Sequence, residues 1–200
     1  MRKMKKMLIR NFEIQNIQRR DATDDGKEEV VLGGYASVFN ERTTLWEGFD
    51  EVIAPGAFSR ALSENQDIRC LFNHNWENIL GRTKAGTLIL EEDERGLKFE
   101  VKLPDTTVAR DLEKSIERGD VNQCSFGFIP TEEEIDYKSD PVLRTIKEVD
   151  LYEVSIVTIP QYESTEVSLV RSKEDVDEYR SLIEKRKKLL NEIEEMLEHE

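Results

Sequence analysis

Short β-type segments, each closed by glycine, asparagine, aspartate or proline, run through the chain from Val30 to about Val170. They are VVLGGYASVF (30–39), IRCLFN (68–73), ILGRTKAGTLILEE (79–92), GLKFEVKL (96–103), QCSFGFIP (123–130) and LYEVSIVTIP (151–160). Their β-branched and aromatic side chains suit a pleated, half-buried surface and lose χ1 freedom in a helix. Two stretches in this region read as helix instead. In 55–64, Pro55 suits a first turn, and Phe58 and Leu62 fall four apart. In 105–119, Asp105 stands where a cap would and Gly119 where a helix closes, while Val108, Leu112 and Ile116 form one apolar stripe. Many short strands with two helices predict a mainly β chain of the α+β type, a barrel or strongly bent sheet with helices packed outside.

The two ends differ from this middle. Residues 1–20 carry Arg2, Lys3, Lys5, Lys6, Arg10, Arg19 and Arg20 against Glu13 alone. Leu8, Arg10, Phe12, Ile14 and Asn16 do not alternate cleanly. This arm reads as a solvated edge strand, or as a basic segment that docks on an acidic partner. DATDDGKEE (21–29) holds nothing apolar larger than Ala22 and reads as a loop or linker. From Ser172 onward the chain reads as a long amphipathic helix in which Leu182, Leu189 and Met196 repeat every seven residues, as do Ile183, Leu190 and Leu197. Such a helix packs on its own domain, forms a short coiled coil or docks on a partner. The expected organisation is thus an arm and linker over 1–29, a domain over 30–171 and a charged helix over 172–200.

Composition removes several functions. A chain of 200 residues suffices for one ordinary domain with a tail, burying about 70% of its unfolded surface. With 43 acidic residues against 29 basic ones, the net charge is −14, and a phosphate backbone would be repelled by most of the surface; no nucleic-acid partner is expected. Cys70 and Cys124 are the only cysteines, which excludes a disulfide scaffold and fits a reducing compartment. No run approaches the roughly 18 apolar residues of a membrane helix. Met7, Leu8 and Ile9 are too few for a signal-peptide core. The expectation is a soluble, intracellular chain with no membrane partner. Neither a G-x-G-x-x-G fingerprint nor a P-loop occurs. The spacing of Cys70 and His74 lacks the second pair that zinc requires, so no metal or cofactor is expected.

Three residues stand out as chemistry. His74, in LFNHNW, lies at the end of an apolar strand between two asparagines, whereas His199 is penultimate in a charged tail. Any imidazole chemistry falls to His74. Ser125, in QCSFGF, shares a strand face with Gly127, while Cys124 and Phe126 share the other. A hydroxyl beside a residue without a side chain leaves backbone open to an extended substrate and an uncrowded nucleophile. The bland alternative is a strand serine next to a bulge glycine. Glu153 enters an apolar strand, where a carboxylate is costly to bury without a cation or histidine as partner. Asp150 has the opposite parity and sits at the strand's start, so Glu153 is the better orienting group. Cys124 shares its face with Phe126 and reads as a small core residue. A serine needs a base to become a nucleophile, and the base needs a carboxylate to fix its tautomer. His74, Ser125 and Glu153 would supply that set in chain order.

Taken in order, GGYASVF (33–39), EVIAPGAF (51–58), LFNHNWENILGR (71–82), GLKFEVKLP (96–104), CSFGF (124–128) and EVSIVTIP (153–160) make the chain resemble the prohead proteases of tailed bacteriophages. These are the serine peptidases of capsid maturation. The resemblance runs from about Gly33 to Val170 and implies that His74 is the catalytic histidine and Ser125 the nucleophile, with Glu153 chosen over Asp150 as the third member. It implies a bent β-barrel surrounded by helices, similar to the herpesvirus assembly protease. It also implies cleavage of the scaffolding segment of the major capsid protein and of the protease itself. The place of action would be the immature procapsid in the bacterial host cytoplasm. Arg144 is a conceivable oxyanion donor on the same footing. The other reading is a catalytically silent capsid assembly module that keeps the barrel and docks through its C-terminal helix. Oligomeric state, a homo-oligomer included, and cleavage preference are not readable.

Overall fold

A computed structural model describes the backbone of residues 7–13, 18–24 and 27–158. Among them lie eleven strands and two helices. The order is β1 (Leu8–Glu13), β2 (Gln18–Asp24), β3 (Lys27–Val38), β4 (Thr43–Trp46), β5 (Phe49–Ile53), α1 (Ser59–Ser63), β6 (Arg69–Phe72) and β7 (Asn75–Arg82). There follow β8 (Leu88–Glu92), β9 (Gly96–Lys102), α2 (Thr107–Glu117), β10 (Gln123–Asp136) and β11 (Val142–Val157). The strands form two sheets. The smaller has the order β2-β3-β9-β8; the larger has β1-β10-β11-β5-β4, with β6 also pairing β11 and β7 pairing β6.

Strand β11 organises the larger sheet. Along one edge it pairs antiparallel with β10. Along the other it pairs parallel with β5 through Val142–Ile146 and with β6 through Glu153–Ile156. This ribbon is strongly curled. Arg10 lies opposite Phe126, which pairs with Val154, whereas Glu51 lies beside Arg144. In a flat sheet the two positions on β11 would stand about 30 Å apart, at roughly 3.3 Å per residue. Yet Arg10 Nε donates to Glu51 Oε1 at 2.5 Å. Register shifts between Gly127 and Phe128, and again between Pro130 and Glu133, supply the bend.

The expected strong bend is therefore present, and among the described residues the sheets do not close into the expected bent barrel. Among the described residues the larger sheet keeps free edges at β1, β4 and β7, and the smaller at β2 and β8. Curling replaces closure because β11 already has partners on both edges, and the bulges fold the ribbon without joining its ends. A core of Leu32, Phe58, Phe99, Phe126, Phe128, Ile146 and Val154, all fully buried, lies inside the fold. Phe58 meets Phe126 edge-on at 5.5 Å, and Phe126 stacks on Phe128 at 4.9 Å. Truncating such a ring costs about 3–5 kcal/mol.

Local differences from the sequence reading have visible causes. The expected strand 79–92 is broken by a 3₁₀ turn at Thr83–Ala85, closed by Gly86 at φ 68°. The presumed linker 21–29 is largely strand, with Asp24 opposite Lys27. Helix α2 is capped by the Thr106 hydroxyl, which accepts from the Ala109 N–H, and not by Asp105. Strands β4 and β5 were not foreseen. The expected C-terminal helix, 172–200, lies outside the described residues. Among those described, no helix is long and apolar enough to cross a membrane.

Candidate active site

His74 is carried on the two-residue turn between β6 and β7. Phe72 pairs with Asn75 across it, and the two residues between, Asn73 and His74, have φ of 53° and 55°. Positive φ at both central positions is the requirement of a type I′ hairpin. Asparagine tolerates that geometry readily; histidine less so, and strain of this kind persists only where surroundings enforce it. The enforcement comes from the end of β11. Asn73 N–H donates to the Ile156 carbonyl at 2.9 Å. Its Oδ1 accepts from Thr158 N–H at 2.9 Å and from the Thr158 hydroxyl at 3.2 Å.

Glu153 meets this histidine. On β11, Glu153 pairs with Gly127 and Leu151 with Phe128, leaving Tyr152 as the extra residue of a bulge. Bulges re-aim the side chains beside them. The Glu153 carboxylate, 1% exposed, places Oε1 at 2.8 Å from His74 Nδ1. Its Oε2 accepts from the Ser155 hydroxyl at 2.5 Å. The absence of a side chain at residue 127 makes room for this carboxylate, because a Cβ there would fall 2.5 Å from Glu153 Oε1. That corrects the expectation of backbone open to substrate beside Ser125: the space is filled by Glu153. Asp150 points elsewhere. It pairs with Arg60 Nη2 at 2.6 Å and accepts from Gln66 at 3.3 Å.

Ser125 lies on the same face. It is directly opposite Ser155, and Gly127 is opposite Glu153; opposed residues of an antiparallel pair project to one side. The structure therefore gathers Ser125, Ser155, Glu153 and His74 on one side of the β10–β11 ribbon. The Ser125 hydroxyl is fully buried and donates to the Arg10 carbonyl of β1 at 2.9 Å. The expected uncrowded nucleophile is thus covered. His74 Nε2 is buried without a hydrogen-bond partner. With Nδ1–H donated to the carboxylate, this nitrogen is a proton acceptor facing no proton. Ser155 and Arg10 were missed by sequence reasoning. Ser155 shared the parity of Glu153, and the packing role of Arg10 depended on a strand pairing that no local pattern announces.

Other candidates fall away. Burial pushes the Cys70 and Cys124 thiols well above their ordinary range, and the Glu153 carboxylate adds to it. Neither thiol ionises near neutrality, so neither is a ready nucleophile. Arg144 gives its guanidinium to two carboxylates, Glu133 and Glu51, the latter at 3.2 Å. It is committed to an ion-pair network instead of standing free as a donor.

A family model described as caudovirus prohead serine protease matches residues 15–181. The chain belongs to that family. Its prohead proteases are serine peptidases of bacteriophage, and this membership makes the chain a serine peptidase by kind. No curated protein matches it in sequence. A solved structure, that of the bacteriophage T4 capsid assembly protease gp21, is similar in fold with a TM-score of 0.55. At 11% identity, that likeness covers 78% of this chain and 99% of the T4 chain. The prohead protease assignment rests on the sequence family; the T4 likeness adds the fold.

Proposed function

We propose that this prohead protease is an endopeptidase of capsid maturation that works through an acyl-enzyme on Ser125, with His74 as base and Glu153 as its orienting carboxylate. The observation that carries this reading is the buried His74–Glu153 pair, its Nε2 unpartnered and its carboxylate on the face of the β10–β11 ribbon that holds Ser125. In the reaction, His74 Nε2 takes the Ser125 proton as Oγ attacks the scissile carbonyl. The imidazolium that forms is stabilised by Glu153 and then protonates the leaving amine. Water, deprotonated by the same nitrogen, hydrolyses the ester and frees the serine. Glu153 keeps hold of the imidazole throughout, itself held from its far side by the Ser155 hydroxyl. The substrates proposed are the scaffolding segment of the major capsid protein and the protease itself, within the immature procapsid. The basic arm and the C-terminal segment 172–200 are candidates for self-cleavage.

The test is co-expression with the cognate capsid protein, comparing wild type with Ser125→Ala by intact mass. Wild type is expected to trim the capsid protein and itself at defined bonds, and the variant to leave both whole. Identical uncut masses in assembled particles would overturn the reading in favour of a silent assembly module. That second reading has one observation on its side, the commitment of the Ser125 hydroxyl to the Arg10 carbonyl.

A further inference from the structure

We propose that β1 is a blocking strand: the chain's own residues 8–13 occupy the edge of β10 that an extended peptide must reach, and hold Ser125 off until they are lifted. The inference rests on Ser125 being the nucleophile. Three observations carry it.

The first is coverage. β1 pairs antiparallel with β10 without interruption, from Leu8 opposite Phe128 to Glu13 opposite Gln123, so it spans the whole segment around Ser125. Among the described residues β1 pairs with no other strand and is the edge of its sheet. If it leaves, β10 presents a row of unpaired backbone donors and acceptors, the kind of edge to which an extended peptide adds as a strand.

The second is the hydroxyl. A serine has one proton to donate, and Ser125 gives it to the Arg10 carbonyl at 2.9 Å. His74 Nε2, the acceptor a nucleophilic serine needs, is left buried and unpartnered. A buried polar atom without a partner requires an explanation, and a diverted hydroxyl provides one. Removing the Arg10 carbonyl frees that proton.

The third is a latch. Arg10, 5% exposed, grips Glu51 through Nε at 2.5 Å and Nη2 at 3.0 Å. Its Nη1 donates to the Ile9 carbonyl at 2.8 Å, and its guanidinium lies 5.8 Å from the centre of the Phe128 ring. Arg144 and Glu133 extend the network. Thus, among the described contacts, a bidentate ion pair and the packing of Leu8 anchor a strand that has one ladder, on a segment that precedes residues 15–181. Such an element is cheap to release relative to the rest of the sheet. Release by a competing substrate strand would couple activity to high local substrate concentration, as in a closed shell.

The experiment measures how fast a small fluorophosphonate labels Ser125 in the full chain, read by intact mass, with Ser125→Ala versions as blanks. Wild type is compared with Arg10→Ala, which breaks the latch. Phe12→Pro is the second variant; it removes a β1 N–H that faces β10, where Phe12 lies opposite Cys124, and it carries the comparison if the first variant misfolds. Both are expected to label roughly tenfold faster or more, since loss of one partner of a buried ion pair strongly weakens what it anchors. Hydrogen exchange should show residues 124–128 opened and 142–149 still protected. Equal labelling of all three proteins would overturn the block and leave the peptidase standing. No labelling in any of them, with exchange showing β1 lifted, would overturn the block and the Ser125 nucleophile together.

Discussion

The two edges of β10 treat the same short segment in opposite ways. Toward β11, Gly127 faces Glu153 and Ser125 faces Ser155, and the carboxylate has both oxygens occupied, by His74 and by the Ser155 hydroxyl. Toward β1, the Ser125 hydroxyl is drawn to a backbone carbonyl. The β11 side is interior: this strand is paired along both edges, and Val154, Ser155 and Ile156 are fully buried. The β1 side is, among the described residues, one ladder on a sheet edge, with a buried arginine securing it. Permanent parts of a site belong where the fold is deepest, because a carboxylate and imidazole must be held within a fraction of an ångström. A part that must move belongs on an edge.

The largest effect tests the permanent side. Glu153→Gln keeps the shape but no longer offers two accepting oxygens, so His74 loses its fixed tautomer and the counter-charge for its protonated form. The expected loss in kcat is about 10⁴-fold, the scale seen when a triad carboxylate becomes an amide. KM for a peptide substrate should change little, and the thermal melt should show the fold retained. A variant with near-normal kcat would remove Glu153 from the machinery. The comparison would then lose its premise, since the interior edge would be merely structural.

Next in size is Gly127→Ala. The added methyl carbon would sit 2.5 Å from Glu153 Oε1 and 3.1 Å from its Cγ, distances that force the carboxylate to move. Backbone strain is not involved, because Gly127 is absent from the positive-φ positions. Displacing a positioning group by about 1 Å costs on the order of 10²-fold in rate. The expected signature is a fall in kcat with an altered pH profile, as His74 loses its partner, and a fold that survives. Unchanged kinetics would mean that Glu153 works from elsewhere than its observed place.

How much of this was legible follows from the same contrast. The interior strands could be read because burial on both faces demands apolar residues, and β10 and β11 announce themselves in CSFGF and EVSIVTIP. Glu153 stood out for the same reason, as a lone carboxylate in an apolar run. For β1 an edge strand was one of the two readings, but its partner and the burial of Arg10 could not be read, because the pairing depends on residues more than a hundred positions away and the alternation is poor. The role of Gly127 was misjudged, since a missing side chain looks the same whether substrate or a neighbouring carboxylate uses the space. His74 was placed at a strand end when it sits in a tight turn; Asn73 supplied the turn chemistry, but the second position lacks the glycine that would signal it. The bend was expected from strand number alone, while its means, bulges at Tyr152 and beyond Pro130, left no local mark.

The smallest effect distinguishes the two acids of β11 that sequence reading had to choose between. Asp150 lies about a third exposed beside Arg60, at 2.6 Å, in a surface cluster with Glu148 and Glu64. Asp150→Asn removes one such pair. Exposed pairs contribute about 0–1 kcal/mol, so the melt should shift by no more than a few degrees and cleavage should stay within about twofold. The cluster has its own pH signature. The Thr131 hydroxyl, and then Arg60, hold the Glu148 carboxyl below its ordinary 4.5. A lowered carboxylate stabilises the fold above its ordinary value and loses that contribution as pH falls through the lowered one. Removing the nearby Asp150 charge, which opposes ionisation of Glu148, should leave that acid limb in place and move it slightly lower. A melt followed from pH 6 down to about 3 would show it. Abolished cleavage in Asp150→Asn, with the fold intact, would reverse the choice of Glu153 and transfer the orienting role to a residue that touches Arg60 instead of His74.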